Sequence, residues 1–326
     1  MLSYLLRRSV SALVLIFLVT TITFFFTRLV PGGPVTQAQN LKLNREQVEM
    51  LNRSYGLDRP LAEQYVRWMS NVLLRGDWGV SFSHNRPALK VLLEALPNSL
   101  LLGSAGLAIE LVLGLVLGTL AAARAGRFVD NLVRGGALIF FSIPSFWLAL
   151  MAILLFHSKL YLFPASGMSS LDAMQLSWSG RFFDRLWHLT LPALILGVPA
   201  GAALARYVRN SLLEALGAEH VRAARAKGLS YWQVLLRHGL RNSLGPVIQL
   251  LGLSLPALLN GVLIVEVVFG WPGIGRIMFQ ACMGRDYPLI LAGTLYSALL
   301  VVLGSLLADL LHQRFDPRVR DAELAP

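Results

Sequence analysis

The chain reads as an all-α, polytopic membrane protein with six transmembrane helices. Three observations carry that expectation. Hydrophobic residues make up 55% of the sequence and charged residues 14%, too apolar and too weakly charged for an ordinary soluble protein. Windows long enough to cross a bilayer, roughly 20 helical residues, fall near 9–29, 99–123, 135–156, 188–206, 246–268 and 289–311. The cations gather at the ends of these windows, so the formal net charge of +11 reads as positive-inside bias. It does not read as a nucleic-acid footprint, because no zinc-finger or RNP motif accompanies it.

The first window follows Arg7-Arg8 and imitates a signal peptide. Its apolar run is too long for a usual signal core and no small-residue cleavage site follows, which predicts an uncleaved first span. With Arg7 and Arg8 inside, the second internal interval carries Arg124, Arg127 and Arg134. The third carries Arg206, Arg209, Arg222, Arg225, Lys227, Arg237 and Arg241, and the tail carries Arg314, Arg318 and Arg320. Both termini are therefore expected in the cytoplasm. Residues 31–98 form the long external interval, where cations are interleaved with Glu46, Glu49, Asp58, Glu63, Asp77 and Glu94. Within it Asn44 and Gln47 have capping spacing, and Asp58 with Pro60 opens a helix. Leu61, Tyr65, Trp68, Met69, Val72 and Leu73 share one face of that helix. The expected cover for this face is the protein's own external surface or the bilayer interface, with a docking partner as the alternative.

Gly114 and Gly118 in the second window, and Gly197 and Gly201 in the fourth, have the small-xxx-small spacing that lets membrane helices approach closely. Pro144, Pro192, Pro199 and Pro256 predict kinks in the third, fourth and fifth windows. Three acids lie within the apolar windows. Glu110 is near the middle of one, and is a candidate for the transport route or for a structural hydrogen bond to a neighbouring helix. Glu266 and Asp309 sit near the ends of theirs, within reach of water. Between the fifth and sixth windows, Gly270-Trp271-Pro272-Gly273-Ile274-Gly275 precedes the short apolar Ile277-Met278-Phe279. These breakers predict a turn dipping back toward the bilayer or a surface hairpin, with Trp271, Pro272, Gly273 and Gly275 as a candidate external gate. Gly273 and Gly275 are not a dinucleotide fingerprint, since the third glycine is missing.

The longest internal polar interval contains Glu219-His220-Val221-Arg222-Ala223-Ala224-Arg225-Ala226-Lys227-Gly228. Glu219 suits a helix N-terminus and Lys227 a C-terminus, while Ala223, Ala224 and Ala226 favour helix. Gly228 can take the left-handed conformation that stops it. Ser230 and Gln233 have capping-box spacing, so a second helix starts at once. Such a bend can offer a small-residue face to a partner's groove. The alternative is that Arg222, Arg225 and Lys227 simply mark the inner side and touch lipid head groups.

Enzymatic chemistry has no foothold here. Lys42, Lys90, Lys159 and Lys227 all lack a phosphate-binding loop. No histidine opens a His-Glu-x-x-His helix, no Gly-x-Ser-x-Gly elbow occurs, and Cys282 is the single cysteine. No metal or cofactor is expected in this chain.

Taken together, the sequence resembles the B-type permease subunits of dipeptide and oligopeptide ABC importers, nearly end to end. The resemblance runs through Arg7-Arg8, Pro31-Gly32-Gly33-Pro34, Gly56-Leu57-Asp58 with Pro60, and Gly76-Asp77-Trp78-Gly79. It continues through Ser142-Ile143-Pro144-Ser145-Phe146, His188-Leu189-Thr190-Leu191-Pro192, residues 222–228, His238-Gly239-Leu240-Arg241-Asn242 and Asp316-Pro317-Arg318. The family's cytoplasmic signature, Glu-Ala-Ala-x-x-x-Gly, maps onto Arg222, Ala223, Ala224 and Gly228, with Arg222 in the Glu position.

This resemblance implies a type I ABC importer transmembrane domain in a bacterial inner membrane. It implies an N-terminal helix with external segment at 1–95, a core at 96–312 and a cytoplasmic tail at 313–326. Glu219, Arg222, Ala223, Ala224, Arg225, Lys227 and Gly228 would form the coupling helix. The implied partners are a homologous second permease, two ABC ATPase subunits that hold ATP and Mg, an extracytoplasmic substrate-binding protein and membrane lipid. The implied cargo is a short peptide, or a nickel chelate or glutathione-like peptide as in close relatives. A secondary transporter working without ATP is the competing class, and would be expected to show inverted repeats and several mid-membrane acids.

Overall fold

A computed structural model of the chain describes residues 2–29, 46, 50, 53, 56–241, 243 and 263–315. The Pro31–Pro34 motif, the Asn44/Gln47 cap, Asn242, the Pro256 kink, most of the fifth window and the Asp316-Pro317-Arg318 motif lie outside these residues, as does the side chain of Asp309. The described residues are almost wholly helical, with one isolated antiparallel bridge between Val80 and Pro87. The chain divides into two compact units, Met1–Pro97 with Gly273–Val302, and Asn98–Pro272 with Leu303–Pro326.

The first unit opens with α1, Leu2–Leu29, and α2, Leu61–Arg75. Phe24 of α1 is fully buried. Its ring lies 5.3 Å from that of Tyr65 and 5.6 Å from that of Trp68, and Phe25 stacks on Tyr65. The hydroxyls of Thr21 and Tyr65 are 2.8 Å apart. The aromatic part of the α2 face is thus covered by the chain itself, as expected. Leu61 and Leu73 depart from that expectation: they are 45% and 72% exposed. Gly76, in the left-handed conformation at φ 62°, closes α2 with its N–H on the Asn71 carbonyl. On the exposed side Glu63 accepts from Arg59 at 2.6 Å, which holds its carboxyl below the usual range.

The core of this unit joins Ala88, Val91, Leu92 and Ala95 at the start of α3, Ala88–Ala123, to α10, Ile274–Met283, and α11, Tyr287–Phe315. Asp286, wholly buried, ties two loops together. Its carboxylate accepts from Ser81 Oγ at 2.6 Å, Ser83 N–H at 2.9 Å and Ser83 Oγ at 2.7 Å, and caps α11 through the N–H of Leu289.

The second unit holds the rest of α3, then α4, Phe128–Ser142, and α5, Ser145–Ala152, which runs on as a π-helical turn to Lys159. The third window is therefore no single rod: α4 and the helix beginning at Ser145 are bent by 101°. Pro144 explains the break. Its ring forces Ile143 into extended backbone at ψ 124°, and the new helix starts beyond it. The fourth window is the middle of a longer helix, α6, Trp178–Gly217, which continues through Pro192 and Pro199. Ser177 caps it, accepting from the Gly180 N–H.

The predicted glycines all fall on one helix–helix contact, each against larger residues of the other helix. A Cβ on Gly114 would fall 2.5 Å from Leu204, one on Gly118 2.6 Å from Val208, and one on Gly197 2.5 Å from Ile109. Gly201 similarly faces the backbone of Glu110. A Cβ on Gly118, Gly197 or Gly201 would also meet a backbone oxygen of the other helix, at 2.7, 2.6 and 3.1 Å, so α3 and α6 approach closely here, as small residues allow where the solvent is itself apolar. Short elements complete the unit: α7, Glu219–Ala226; α8, Tyr231–Gln233, with a π segment to Leu240; and α9, Leu263–Val268. Four described helices are long and apolar enough to cross a membrane, five if the bent pair counts as one span.

Candidate functional site

α7 follows α6 after a single extended residue, Ala218 at ψ 151°, which turns the chain sharply. Glu219 stands exposed in its first turn, where a negative charge complements the helix dipole. Val221 is fully buried and Ala224 only 6% exposed. Arg222, Ala223, Arg225, Ala226 and Lys227 all face outward. The helix stops as its sequence predicts: Gly228 adopts φ 81° and its N–H donates to the Arg225 carbonyl at 3.0 Å. The Ser230/Gln233 capping box is present in both directions, and Val234 and Leu235 seal the start of the next segment into the core.

One candidate changes role. Ala224, expected on the surface offered to a partner, is turned inward, because Val221 and Ala224 at i and i+3 form the stripe that docks α7 on its own chain. The small residues on the outward face are Ala223 and Ala226, flanked by Arg222 and Lys227. A polar contact ties the segment to the bundle, where the Tyr231 hydroxyl donates to the Ala123 carbonyl at the end of α3 at 3.0 Å.

A buried ion pair stands at the same end of the unit. Asp130, in the first turn of α4, has a fully buried side chain and binds both Nε and Nη2 of Arg209 on α6. It also accepts from the Gly126 N–H at 2.8 Å. Sequence reasoning counted Arg209 only as a topology cation and passed over Asp130. The available signal was a lone acid between Arg127 and Arg134 at the edge of an apolar window.

The other candidates are dispersed. Glu110 is half-buried on α3, and its carboxylate has no hydrogen-bond partner among the described residues, so the structural hydrogen bond considered for it is not made there. Glu266, expected to reach water, is instead wholly buried and accepts from Ser99 Oγ at 2.7 Å. The expected external gate is divided between the two units. Trp271 is fully buried in the core of the second unit, its indole N–H donating to the Asn98 carbonyl at 2.8 Å, while Asn98 Nδ2 returns a bond to the Pro272 carbonyl at 2.9 Å. A surface hairpin is therefore excluded at Trp271, which is an anchor. Gly273 and the buried Gly275 belong to the start of α10 in the first unit. Among the described residues, no three His, Cys, Asp or Glu side chains cluster as a metal site.

Comparison with known proteins agrees with this architecture. Residues 114–321 match the model of binding-protein-dependent transport system inner membrane components, and residues 1–103 match that family's N-terminal model. The chain is 35% identical over 320 residues to the oligopeptide transport system permease protein AppB of Bacillus subtilis, covering 98% of this chain and 99% of that one. It is 34% identical over 337 residues to the dipeptide transport system permease protein DppB of Escherichia coli, with the same coverage. The fold is similar to an inward-facing structure of the MetNI methionine ABC transporter, with a TM-score of 0.51 and 20% identity over 70% of this chain and 97% of that one. With both family models matched and full-length relatives above the identity at which folds diverge, the chain belongs to the binding-protein-dependent transport system inner membrane components.

Proposed function

We propose that this chain forms half of the translocation pathway of an ATP-driven importer for dipeptides and oligopeptides. The observation that carries the reading is the full-length similarity to permeases named for those substrates, at 34–36% identity over 98% of the chain. A homologous permease supplies the other half, two ATPase subunits hold ATP and Mg, and an extracytoplasmic binding protein delivers the peptide. The chain itself is not an enzyme.

In this reading α7 is the coupling helix, and its outward face of Arg222, Ala223, Ala226 and Lys227 seats in an ATPase. Closure of the ATPases on ATP displaces α7. The motion is handed on through the buried Val221/Ala224 stripe and the Tyr231 to Ala123 hydrogen bond rather than dissipated in a loose loop. Bundles rocking between inward-open and outward-open states then expose the pathway alternately to each side. Arg222 replaces the acidic residue of the family signature, which predicts an acidic or carbonyl-rich complement on the ATPase.

The test is uptake of a labelled dipeptide into proteoliposomes holding the full set of subunits and the binding protein. Uptake that needs ATP and every component supports the proposal. ATP turnover by the purified chain alone, or uptake driven by an ion gradient without ATP, defeats it. Competition by unlabelled peptides, nickel chelates and glutathione separates the peptide reading from the chelate and glutathione-like alternatives.

A further inference from the structure

Between the end of α3, the end of α6 and α7 lies an open pocket of about 590 Å³. Arg124 and Arg127 border it from the turn after α3, and Arg225 from α7. Ala122 and Ala123 line it on one side and Leu213 and Leu216 on the other, and Ala125, Gly217 and Tyr231 complete the wall. Among the described residues none of those lining it is acidic, and none of the three guanidinium groups has an ion-pair partner.

The neighbouring acid is already committed. Asp130 gives both oxygens to Arg209 and a further lone pair to the Gly126 N–H, so it leaves the pocket's cations unneutralised. The same bond helps to hold the turn that presents Arg124 and Arg127 together. Gly126 takes φ 75° there, and the Arg127 N–H donates to the Arg124 carbonyl at 2.9 Å. All three arginines are exposed, and the backbone of the turn that carries two of them is fixed.

We propose that this pocket binds the phosphate group of an anionic membrane phospholipid, clamping α7 to the ends of α3 and α6. Guanidinium forks match phosphate oxygens in geometry and charge. Continuity with α3 favours the lipid over a soluble phosphate. The pocket opens at Ala122 and Ala123, the last turn of a helix long and apolar enough to cross the bilayer, and cations that follow such helices attract anionic head groups. Its alanine and leucine wall suits a glycerol backbone and the first methylenes, which a soluble phosphate lacks. A phosphate shared by Arg225 and the Arg124/Arg127 turn would bridge α7 to the bundle, stiffening the element that the proposed function makes mobile.

The inference rests on the proposed orientation only for which leaflet supplies the lipid, and the binding test is indifferent to orientation and to transport. Native mass spectrometry of the full chain in neutral detergent, titrated with phosphatidylglycerol or phosphatidylcholine, should show one phosphatidylglycerol retained with at least a tenfold preference. Gly217 lines the pocket with nothing near its Cβ position, so Gly217→Trp fills the space without removing charge. This variant, and the triple Arg124→Gln, Arg127→Gln, Arg225→Gln, should each weaken retention about tenfold at unchanged thermal stability. Equal retention by both variants overturns the proposal. Displacement of the lipid by equimolar glycerol phosphate reassigns the pocket to a soluble phosphate ester and overturns the lipid assignment. Stoichiometric expulsion of the lipid by added ATPase subunits gives the pocket to that partner instead.

Discussion

Asp130 and Arg209 meet through two parallel hydrogen bonds, Nε to Oδ1 at 2.5 Å and Nη2 to Oδ2 at 2.6 Å, with the carboxylate fully buried. Removing one member of such a pair strands the other's charge, which costs more than the pair itself contributes. Asp130→Ala should destabilise the protein by about 3 kcal/mol, the low end of the range for buried pairs, since Arg209 keeps 16% of its side-chain exposure. Arg209→Leu in the Asp130→Ala background should recover part of that loss. A double-mutant cycle by thermal unfolding in detergent checks it, and strict additivity of the two single changes would show the pair to be uncoupled.

The α3–α6 contact separates glycines that are needed from glycines that are free. Gly118→Val places methyl groups where Val208 and the Ala205 carbonyl already stand, whereas Gly135 and Gly136 on α4 have nothing within 4 Å of a new Cβ. Overpacking of this kind costs about 1–3 kcal/mol. Gly118→Val should therefore lower the melting temperature and yield, and Gly135→Ala should raise helix propensity with no loss. Comparable behaviour of the two variants would mean that the α3–α6 interface yields to bulk.

Around α7 the structure separates two alanines that the sequence pairs. Ala223→Trp adds bulk on an exposed surface and should leave membrane insertion and stability unchanged while abolishing dipeptide uptake and binding-protein-stimulated ATP hydrolysis. Ala224→Trp cannot fit beneath the helix and should instead lower stability by undocking it. Gly228→Val forces a branched side chain to φ 81°, a local cost on the order of 1–2 kcal/mol. It too should reduce coupling at normal expression. Full transport by both Ala223→Trp and Gly228→Val would remove the coupling role from α7.

Orientation is tested with an impermeant thiol reagent in intact cells, on a Cys282→Ser background because Cys282 is exposed. Leu74→Cys, on the exposed side of α2, should react, and Ala226→Cys, on the outward face of α7, should react only after the membrane is opened. The opposite pattern reverses the topology drawn from the arginines.

What the sequence determined by itself is what depends on near neighbours and on solvent. Hydropathy sets where helices cross the membrane, whatever they pack against. The stop at Gly228 and the Ser230/Gln233 box are conditions on three or four consecutive residues, and both are found as written. The break at Pro144 was legible because a proline constrains the residue before it, although its angle of 101° was not. The close contact at Gly114, Gly118, Gly197 and Gly201 was legible as small residues with a shared spacing, without naming which helix met which or that each glycine receives a larger residue of the other helix.

Only the tertiary structure decided which face of each helix is inside. Asp130 finds Arg209 across 79 positions and Ser99 finds Glu266 across 167, separations over which no local pattern carries information. Ala223 and Ala224 have the same propensity and adjacent places, and one is outward and the other buried solely because Val221 docks on that side. Leu73 shares a nominal stripe with Tyr65 and Trp68, but Phe24 of α1 packs on those two rings and Leu73 stays 72% exposed. Periodicity tells that a helix has an apolar face; how much of that face a neighbour covers is a property of the assembled chain.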